Sequence, residues 1–215
     1  MAYKTILFDL DGTLVDSGEG VLKCAELGLR HFGLPIPSPQ EMRTFVGPPL
    51  RDSFIRFGCT EEQAQEAIAV YRSRYTTVGK FELFVYPGIE TLLHKLTAAG
   101  CQLYVATSKP ESVSVEILQH LGLAKYFTYI AGADQEKNRS TKSEVIAYLL
   151  EQAGNLDGAL MVGDTAYDVI GARAHGIPCA AISWGYGTVE SIEESHPAVL
   201  VNTTEELFAY ITGAQ

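Results

Sequence analysis

The sequence predicts an α/β fold, a parallel sheet with helices on both faces, carrying an all-helical module inserted after the first strand. Short apolar runs without polar alternation recur along the chain, as in strands that are buried on both faces. Helical patterns separate most of these runs, and such alternation is typical of parallel sheets. One stretch, residues 17–80, has helical patterns but no convincing strand.

The candidate strands are short apolar segments that end at small or acidic residues. They are Thr5–Phe8, Gln102–Ala106, Phe127–Ala131, Ala159–Val162, Pro178–Ile182 and, with a weaker pattern, Ala198–Val201. Ligands of parallel α/β sheets bind beyond the carboxyl ends of the strands. The residues that directly follow these strands are therefore the first candidates for a functional site.

Proline, glycine and capping residues predict where the intervening helices begin and end. One helix runs from Pro87-Gly88 to Gly100, one from Pro110 to Gly122, and one from the capping box Thr141–Glu144 to near Gly154. Each of them follows or precedes a candidate strand, as a βαβ arrangement requires.

The inserted stretch contains several helical signals. An apolar face at helical spacing comprises Val21, Leu22, Ala25, Leu29 and Phe32. Capping boxes occur at Ser38–Glu41, with Pro39 at the first helical position, and at Thr60–Gln63, while Gly47-Pro48-Pro49 must interrupt the middle helix. We therefore predict an α/β core of residues 1–16 and 81–215, and a helical cap of residues 17–80.

Composition restricts the class of partner. The chain has 215 residues, of which 47% are hydrophobic, enough for a sizeable core. Its formal charge of −10 and its lack of a Lys/Arg cluster argue against a nucleic-acid polymer as partner. An acidic protein that binds an anionic substrate must neutralise it locally, with a metal ion or a few placed cations.

The expected environment is a reducing cytosol. Four scattered cysteines suggest neither a zinc site nor a disulfide framework. No long apolar segment and no small-residue cleavage site is present, so we expect a cytoplasmic protein with no signal peptide and no membrane partner. The oligomeric state, monomer or homodimer, stays open.

Two carboxylates follow the first candidate strand directly, in the sequence Asp9-Leu10-Asp11-Gly12-Thr13. Residues two apart lie on the same side while strand geometry persists. One ionised carboxylate can attack a phosphoryl group, and the second carboxyl group can protonate the leaving oxygen and then activate water. Gly12 permits a tight turn and a close approach of the ligand to the backbone. An isolated Asp-x-Asp would only favour a turn, but the preceding strand and Gly12-Thr13 favour chemistry.

The second candidate strand ends at Thr107 and Ser108, just before Pro110 begins a helix. Hydroxyl groups and free backbone N–H groups at a helix start can bind an anion. The alternative is that Ser108 caps the helix in the ordinary way.

Lys142 lies in the first turn of the helix capped by Thr141, where a positive charge opposes the helix dipole. An anion beyond the helix end would explain this placement. The alternative is an exposed lysine paired with an acid such as Glu144.

Asp164 and Asp168 follow the candidate strand Ala159–Val162 and can face one point if a helix begins there. Carboxylates without nearby sulfur or imidazole suit a hard cation, and Mg²⁺ typically uses one or two protein carboxylates together with substrate oxygens and water. Asp168 has the alternative role of capping or orienting its neighbours.

Taken in order, these motifs resemble those of the haloacid dehalogenase superfamily. Asp9-x-Asp11-Gly12-Thr13 is similar to its first motif, Thr107-Ser108 to its second, Lys142 to its third, and Asp164-x-x-x-Asp168 to its fourth. The resemblance spans the chain and implies a Rossmann-like core with the cap inserted between the first two strands.

The resemblance also implies residue roles in a Mg²⁺-dependent phosphatase acting on a small-molecule phosphate ester. Asp9 would be the nucleophile and a metal ligand, and Asp11 the acid/base, with its backbone carbonyl on the metal. Thr107 and Lys142 would hold the phosphoryl group, together with Gly12, Thr13 and Ser108. Asp164 would bind Mg²⁺, supported by Asp168. Because dehalogenase members lack an acid at the position of Asp11, this residue favours phosphoryl chemistry.

The cap segment Phe45–Phe54 resembles that of phosphoglycolate-phosphatase-type and bacterial 5′-nucleotidase-like members. Gly47 and Arg51 are therefore candidates for contacting the substrate beyond its phosphate, with a plain surface cation as the alternative for Arg51. Two other functions stay open. One is a hexose-phosphate mutase like β-phosphoglucomutase, and the other is a non-catalytic module that senses a metabolite.

Overall fold

A computed structural model describes residues 3–154 and 156–214. Positions 1, 2, 155 and 215 of the predicted core lie outside the described residues. The chain forms two compact units. The core unit comprises the chain up to Val15 and from Val85 onward, and the cap unit comprises Asp16–Phe84. The predicted helical cap, residues 17–80, falls within the second unit.

The strands of the described chain are β1 (Thr5–Phe8), β2 (Val15–Asp16), β3 (Phe84–Val85), β4 (Gln102–Pro110), β5 (Phe127–Ala133), β6 (Ala159–Gly163), β7 (Cys179–Ile182) and β8 (Val199–Val201). Six of them form a parallel sheet in the order β5-β4-β1-β6-β7-β8, while β2 and β3 pair separately. The predicted α/β class with a parallel sheet is confirmed. Each of the six predicted strands is present, but β4 runs on to Pro110, beyond the predicted end at Ala106.

The helices are α1 (Gly18–His31), α2 (Pro39–Met42), α3 (Leu50–Arg56), α4 (Glu61–Tyr75), α5 (Ile89–Ala98), α6 (Glu111–His120), α7 (Lys142–Ala153), α8 (Ala166–Arg173), α9 (Val189–Glu194) and α10 (Thr204–Thr212). Short 3₁₀ turns occupy Arg43–Phe45, Gly79–Phe81, Ala124–Tyr126 and Gln135–Lys137. The predicted capping boxes at Ser38, Thr60 and Thr141 are confirmed, since each side chain accepts a hydrogen bond from the third backbone N–H of its helix.

Strand β1, in the middle of the sheet, is buried on both faces. Leu7 belongs to a core cluster that also contains Val145 of α7 and Val169 of α8. Its neighbours Ile6 and Phe8 point to the opposite face, because successive strand residues alternate, and both are fully buried. Both faces of the strand are therefore covered, which explains why it is uniformly apolar.

The cap unit differs from its prediction in which face of α1 is buried. Cys24 and Gly28 lie in the buried stripe, whereas Leu22 and Phe32 are only half-buried. A side chain at Gly28 would meet the ring of Phe54 at 2.6 Å, so a second helix packs closely against α1 there. Hydrophobicity alone does not reveal that small residues lie at a close helix contact.

All four cysteines are buried and free. Among the described residues, no helix combines the length and the hydrophobicity that crossing a membrane requires.

Candidate active site

Strand register brings the predicted site residues of the core to one edge of the sheet. β1 lies between β4 and β6, and Phe8, the last residue of β1, is in register with Val105 and Val162. The residues that come next therefore meet at this edge: Asp9 after β1, Thr107 in β4 and Asp164 after β6.

The ammonium group of Lys142 contacts three oxygen atoms at this edge. Its Nζ lies 2.7 Å from Oδ1 of Asp9 and 2.8 Å from Oδ1 of Asp168, and it donates to the carbonyl of Ala106 at 2.9 Å. Burial opposes the charged form, but the carboxylates of Asp168 and Asp9 raise the pKa of Lys142 above its ordinary value. Lys142 is therefore a buried cation whose ammonium group is held by two carboxylates and one carbonyl oxygen.

The carboxyl groups around Lys142 are shielded from water. Burial raises the pKa of Asp9 to about 6, although the nearby charge of Lys142 partly opposes this shift. Burial, with the charges of Asp168 and Asp9, also raises the pKa of Asp164 well above its ordinary value. Burial therefore disfavours the ionised forms of both carboxyl groups, and a nearby positive charge is needed to keep them ionised.

Asp168 is fully buried, and both of its carboxylate oxygens have partners. Oδ2 accepts hydrogen bonds from the backbone N–H and the hydroxyl of Thr165, at 3.0 and 2.8 Å, and so caps α8. Oδ1 contacts Lys142. The geometry thus shows the capping and orienting contacts that the sequence left as an alternative to metal binding.

Asp164 is held from two loops. Its Oδ1 accepts a hydrogen bond from the hydroxyl of Thr13 at 3.2 Å, and its Oδ2 accepts one from the backbone N–H of Tyr186 at 2.7 Å. Gly12 has a φ of +84°, and a Cβ atom there would overlap the Asp164 carboxylate. Only glycine therefore allows this turn to lie against Asp164.

The donor set fits a divalent cation. Asp9, Asp164 and Asp168 each offer a carboxylate oxygen, and these atoms lie within 4.8 Å of one another. Burial raises the pKa of both Asp9 and Asp164, so a cation bound between them would favour their ionised forms. An all-oxygen donor set of this kind suits a hard divalent ion.

The structure also brings in Lys109, which the sequence analysis did not identify. Its Nζ lies 2.8 Å from Oδ2 of Asp11, and its side chain is only 7% exposed. Oδ1 of Asp11 is buried and has no hydrogen-bond partner in the described part of the chain. The signal in the sequence was a lysine two residues after Thr107, at the end of a strand already assigned to the site.

The loop after β7 was also missed. Besides the backbone N–H of Tyr186 on Asp164, the indole N–H of Trp184 donates to the carbonyl of Thr13 at 3.2 Å. Tyr186 donates through its backbone N–H, and the side chain of Trp184 bonds to a backbone carbonyl. The types of these side chains therefore gave no indication of the site. The position directly after a strand of the sheet was the available signal.

Of the predicted phosphate-binding hydroxyls, that of Thr107 is buried and that of Ser108 is exposed. The Thr107 hydroxyl accepts a hydrogen bond from the backbone N–H of Lys109 at 3.3 Å. Thr107 thus lies at the same sheet edge as Asp9, in the irregular last part of β4.

The sequence predicts two substrate-contacting residues in the cap, Gly47 and Arg51, and their contacts inside the cap unit are as follows. Gly47 adopts a φ of +104°, in the loop before α3. Arg51 is half exposed, and its guanidinium donates to both carboxylate oxygens of Glu61 and, at 3.0 Å, to Asp52. Arg51 therefore has ion-pair partners inside the cap.

Comparison with known proteins identifies the family. Residues 6–182 match the family model described as haloacid dehalogenase-like hydrolase, which is most of the chain.

Three curated relatives carry different names. The chain is 40% identical over 207 residues to "Tyrosine-protein kinase PtkA" of Mycobacterium tuberculosis, covering 95% of this chain and 71% of that protein. It is 36% identical over 199 residues to a "5'-nucleotidase" of Pseudomonas aeruginosa, covering 92% and 90% of the two chains. It is 30% identical over 213 residues to a "Phosphoglycolate phosphatase" of Pseudomonas savastanoi, covering 95% and 78%.

A solved structure supports the same class. A predicted phosphatase from Clostridium acetobutylicum superposes with a TM-score of 0.92 at 40% identity, covering 99% of this chain and 100% of that one. Family and fold indicate a phosphoric monoester hydrolase, and so favour an enzyme over the metabolite-sensing module. The chain therefore belongs to the haloacid dehalogenase-like hydrolase family.

Proposed function

We propose that the protein is a Mg²⁺-dependent phosphatase that hydrolyses a small phosphate monoester through a phosphoaspartate on Asp9. The observation that carries this proposal is the buried contact of 2.7 Å between Lys142 Nζ and Asp9 Oδ1. A carboxylate and a phosphate dianion repel each other, and a fixed cation next to the nucleophile reduces that repulsion.

In the first step a carboxylate oxygen of Asp9 attacks phosphorus, and the bond from phosphorus to the leaving oxygen breaks. The leaving oxygen takes a proton from the carboxyl group of Asp11. Lys142 and Thr107, at the same edge of the sheet, hold the oxygens of the phosphoryl group. The products are an acyl phosphate on Asp9 and the free alcohol.

In the second step Asp11 acts as a base. It takes a proton from a water molecule, whose oxygen attacks the phosphorus of the acyl phosphate. The bond between phosphorus and Asp9 breaks, which releases inorganic phosphate and restores the carboxylate. Asp11 is then protonated again, ready for the next leaving group.

Asp9, Asp164 and the backbone carbonyl of Asp11 are the groups we assign to the metal. When bound, Mg²⁺ would supply positive charge that favours the ionised carboxylates of the site and offsets the charge of the substrate phosphate. We assign Asp168 to orienting Lys142 and capping α8, because both of its oxygens already serve those contacts. The buried hydroxyl of Thr13 holds Asp164, and we assign it that task in place of the predicted contact with substrate.

For the substrate we propose a small phosphorylated metabolite, either a phosphoglycolate-like acid or a nucleoside 5′-monophosphate. Relatives named for both activities cover more than nine-tenths of this chain, at 30% and 36% identity. Phosphate release from a panel of phosphoglycolate, nucleotides, sugar phosphates and phosphotyrosine would separate these classes. A rate that is equally low for all of them would contradict the proposed substrate class.

The nucleophile is tested by trapping the intermediate. Acid quenching during turnover of a ³²P-labelled substrate should leave label on the wild-type protein, and hydroxylamine should remove it, as it does from acyl phosphates. Asp9→Asn should carry no label and have no turnover, because an amide does not attack phosphorus. Asp11→Asn should lose about 10²–10⁴-fold in rate. Full activity of Asp9→Asn would refute the mechanism.

The metal is tested by removal. A chelator should abolish turnover, and added Mg²⁺ should restore it. Ca²⁺ should replace Mg²⁺ poorly, because its longer bonds and higher coordination number disturb the alignment of nucleophile and phosphate. Undiminished turnover in excess chelator would rule out the metal assignment.

A second candidate is transfer of the phosphoryl group to a hydroxyl group in place of water. The specific observation is the 40% identity to a relative named as a tyrosine kinase. Asp11 would then deprotonate an alcohol or phenol, whose oxygen would take the phosphoryl group from Asp9. Incubation with γ-labelled ATP and a tyrosine peptide tests for a kinase, and conversion of glucose 1-phosphate to glucose 6-phosphate tests for a mutase. Labelled free phosphate alone would favour hydrolysis.

A further inference from the structure

We propose that Lys109 is a positioning residue for the general acid/base, holding one oxygen of the Asp11 carboxylate so that the other faces the reaction. This inference rests on the proposed function, since it assigns Lys109 a task in the proton transfers of Asp11. The contact of 2.8 Å joins Nζ of Lys109 to Oδ2 of Asp11, and the two side chains are 7% and 18% exposed.

The two oxygens of Asp11 have different surroundings. Oδ2 is paired with the ammonium group, whereas Oδ1 is buried and has no hydrogen-bond partner in the part of the chain that the structure describes. A general acid needs one oxygen available to carry a proton to the leaving group, and it must keep a fixed orientation while it does so. Lys109 supplies the fixed end of the carboxylate.

An irregularity in β4 aims the lysine at Asp11. Ala106 pairs with Ala131 of β5, but Pro110 pairs with Ala133, so three residues of β4 stand opposite the single residue Gly132. Bulges of this kind redirect a side chain and are frequent beside active sites. Within the bulge, the backbone N–H of Lys109 donates to the Thr107 hydroxyl at 3.3 Å.

The bulge is supported from the side of β5. A side chain at Gly132 would meet the carbonyl oxygen of Lys109 at 2.6 Å and the backbone nitrogen of Glu111 at 2.7 Å, so glycine is needed there. Glu111 accepts hydrogen bonds from the Gly132 N–H at 3.2 Å and from Arg139 at 2.9 Å. Arg139, almost fully buried, also donates to the carbonyl of Gly132 at 2.7 Å. The backbone that carries Lys109 is therefore packed closely against β5, beside a buried hydrogen-bond network.

Lys109 and Lys142 contact different carboxylates of the site. Lys142 contacts Asp9 and Asp168, whereas Nζ of Lys109 contacts Oδ2 of Asp11. Loss of Lys109 should therefore impair the steps that need Asp11 and should have much less effect on the attack by Asp9 itself.

The test compares two esters in single-turnover experiments that measure the formation of the phosphoenzyme. A nucleoside 5′-monophosphate has an alkoxide leaving group that must be protonated, whereas p-nitrophenolate leaves without a proton. Lys109→Met should slow the first reaction about 10²-fold and the second by a much smaller factor. Lys109→Arg should recover part of the loss, because it keeps a cation beside Asp11. Thermal unfolding of each variant checks that it is folded.

A double variant separates positioning from a general structural role. If Lys109 acts through Asp11, Lys109→Met in an Asp11→Asn background should cause no further loss, since residues that act as a unit are not additive. Equal losses for both esters, or multiplied losses in the double variant, would overturn the inference. If Asp11→Asn itself shows no dependence on the leaving group, the proposed function fails. If Asp11→Asn shows that dependence but Lys109→Met does not, only the assignment of Lys109 fails.

Discussion

Lys142 Nζ lies between Oδ1 of Asp9, at 2.7 Å, and Oδ1 of Asp168, at 2.8 Å, with all three side chains shielded from solvent. One cation thus keeps apart two buried carboxylates that would otherwise repel each other. The same ammonium group stabilises the folded site and lowers the repulsion between nucleophile and phosphate.

Removing that cation should affect both stability and activity. Lys142→Met leaves two uncompensated buried carboxylates, so the metal-free protein should lose about 3–5 kcal/mol in free energy of unfolding. Its kcat should fall at least about 10²–10³-fold. In urea denaturation the double variant Lys142→Met, Asp168→Asn should regain part of the stability while staying inactive. A single variant as stable as the wild type would contradict this account.

Replacing Gly12 should weaken metal binding. Gly12→Ala places a methyl group into the Asp164 carboxylate, whereas Gly100 has the same φ of +84° and no atom within 4 Å of an added Cβ. Both substitutions cost about 1–2 kcal/mol for the left-handed backbone. Calorimetry should show weaker Mg²⁺ binding for Gly12→Ala alone, and its activity should be lost. If Gly100→Ala weakens Mg²⁺ binding as much as Gly12→Ala does, backbone strain is the cause and the overlap with Asp164 is not.

Arg51→Ala tests whether the cap contributes to substrate specificity. We predict that the segment Gly47–Arg51 faces the nucleophile when the cap is closed and that Arg51 contacts the substrate beyond its phosphate. In the variant kcat/KM should fall for the natural substrate and far less for a small artificial ester. Arg56→Ala is the matched control, since Arg56 lies on the same helix and donates to the Thr44 carbonyl within the cap. Equal losses for both esters would exclude a role in specificity, and no loss would leave Arg51 a surface cation.

The stability of the cap unit should depend on pH through Glu82. Hydrogen bonds from Arg74, at 2.5 and 2.8 Å, and from Lys23, at 2.9 Å, lower the pKa of Glu82 from 4.5 to about 2. Because the pKa is lower in the folded state, this stabilisation is fully present above about pH 4.5 and is lost as the pH falls towards 2.

Glu82→Gln should therefore reduce the free energy of unfolding at pH 7 by about 1 kcal/mol, and the difference from wild type should shrink below pH 4. Urea denaturation at several pH values measures it. Glu19→Gln is the control, because the more exposed Glu19 pairs with the same Lys23. A difference that persists unchanged at pH 2.5 would contradict the assigned ion pairs.

The sequence by itself determined the α/β class and the six parallel strands, and it predicted the core motif residues. Buried strands are uniformly apolar, and capping residues mark where helices begin, so short segments of the sequence are enough to predict these features. Lys142 was detectable for a related reason: a positive charge in the first turn of a helix is unfavourable unless an anion compensates it.

Only the tertiary structure decided how the site is held together. Lys109 reaches Asp11 because β4 bulges against β5, and Tyr186 reaches Asp164 through its backbone N–H. The pairing that produces a bulge depends on a neighbouring strand distant in sequence, and a backbone donor is the same in every residue except proline. Neither contact has a signature in the order of side chains, so both had to be read from the folded chain.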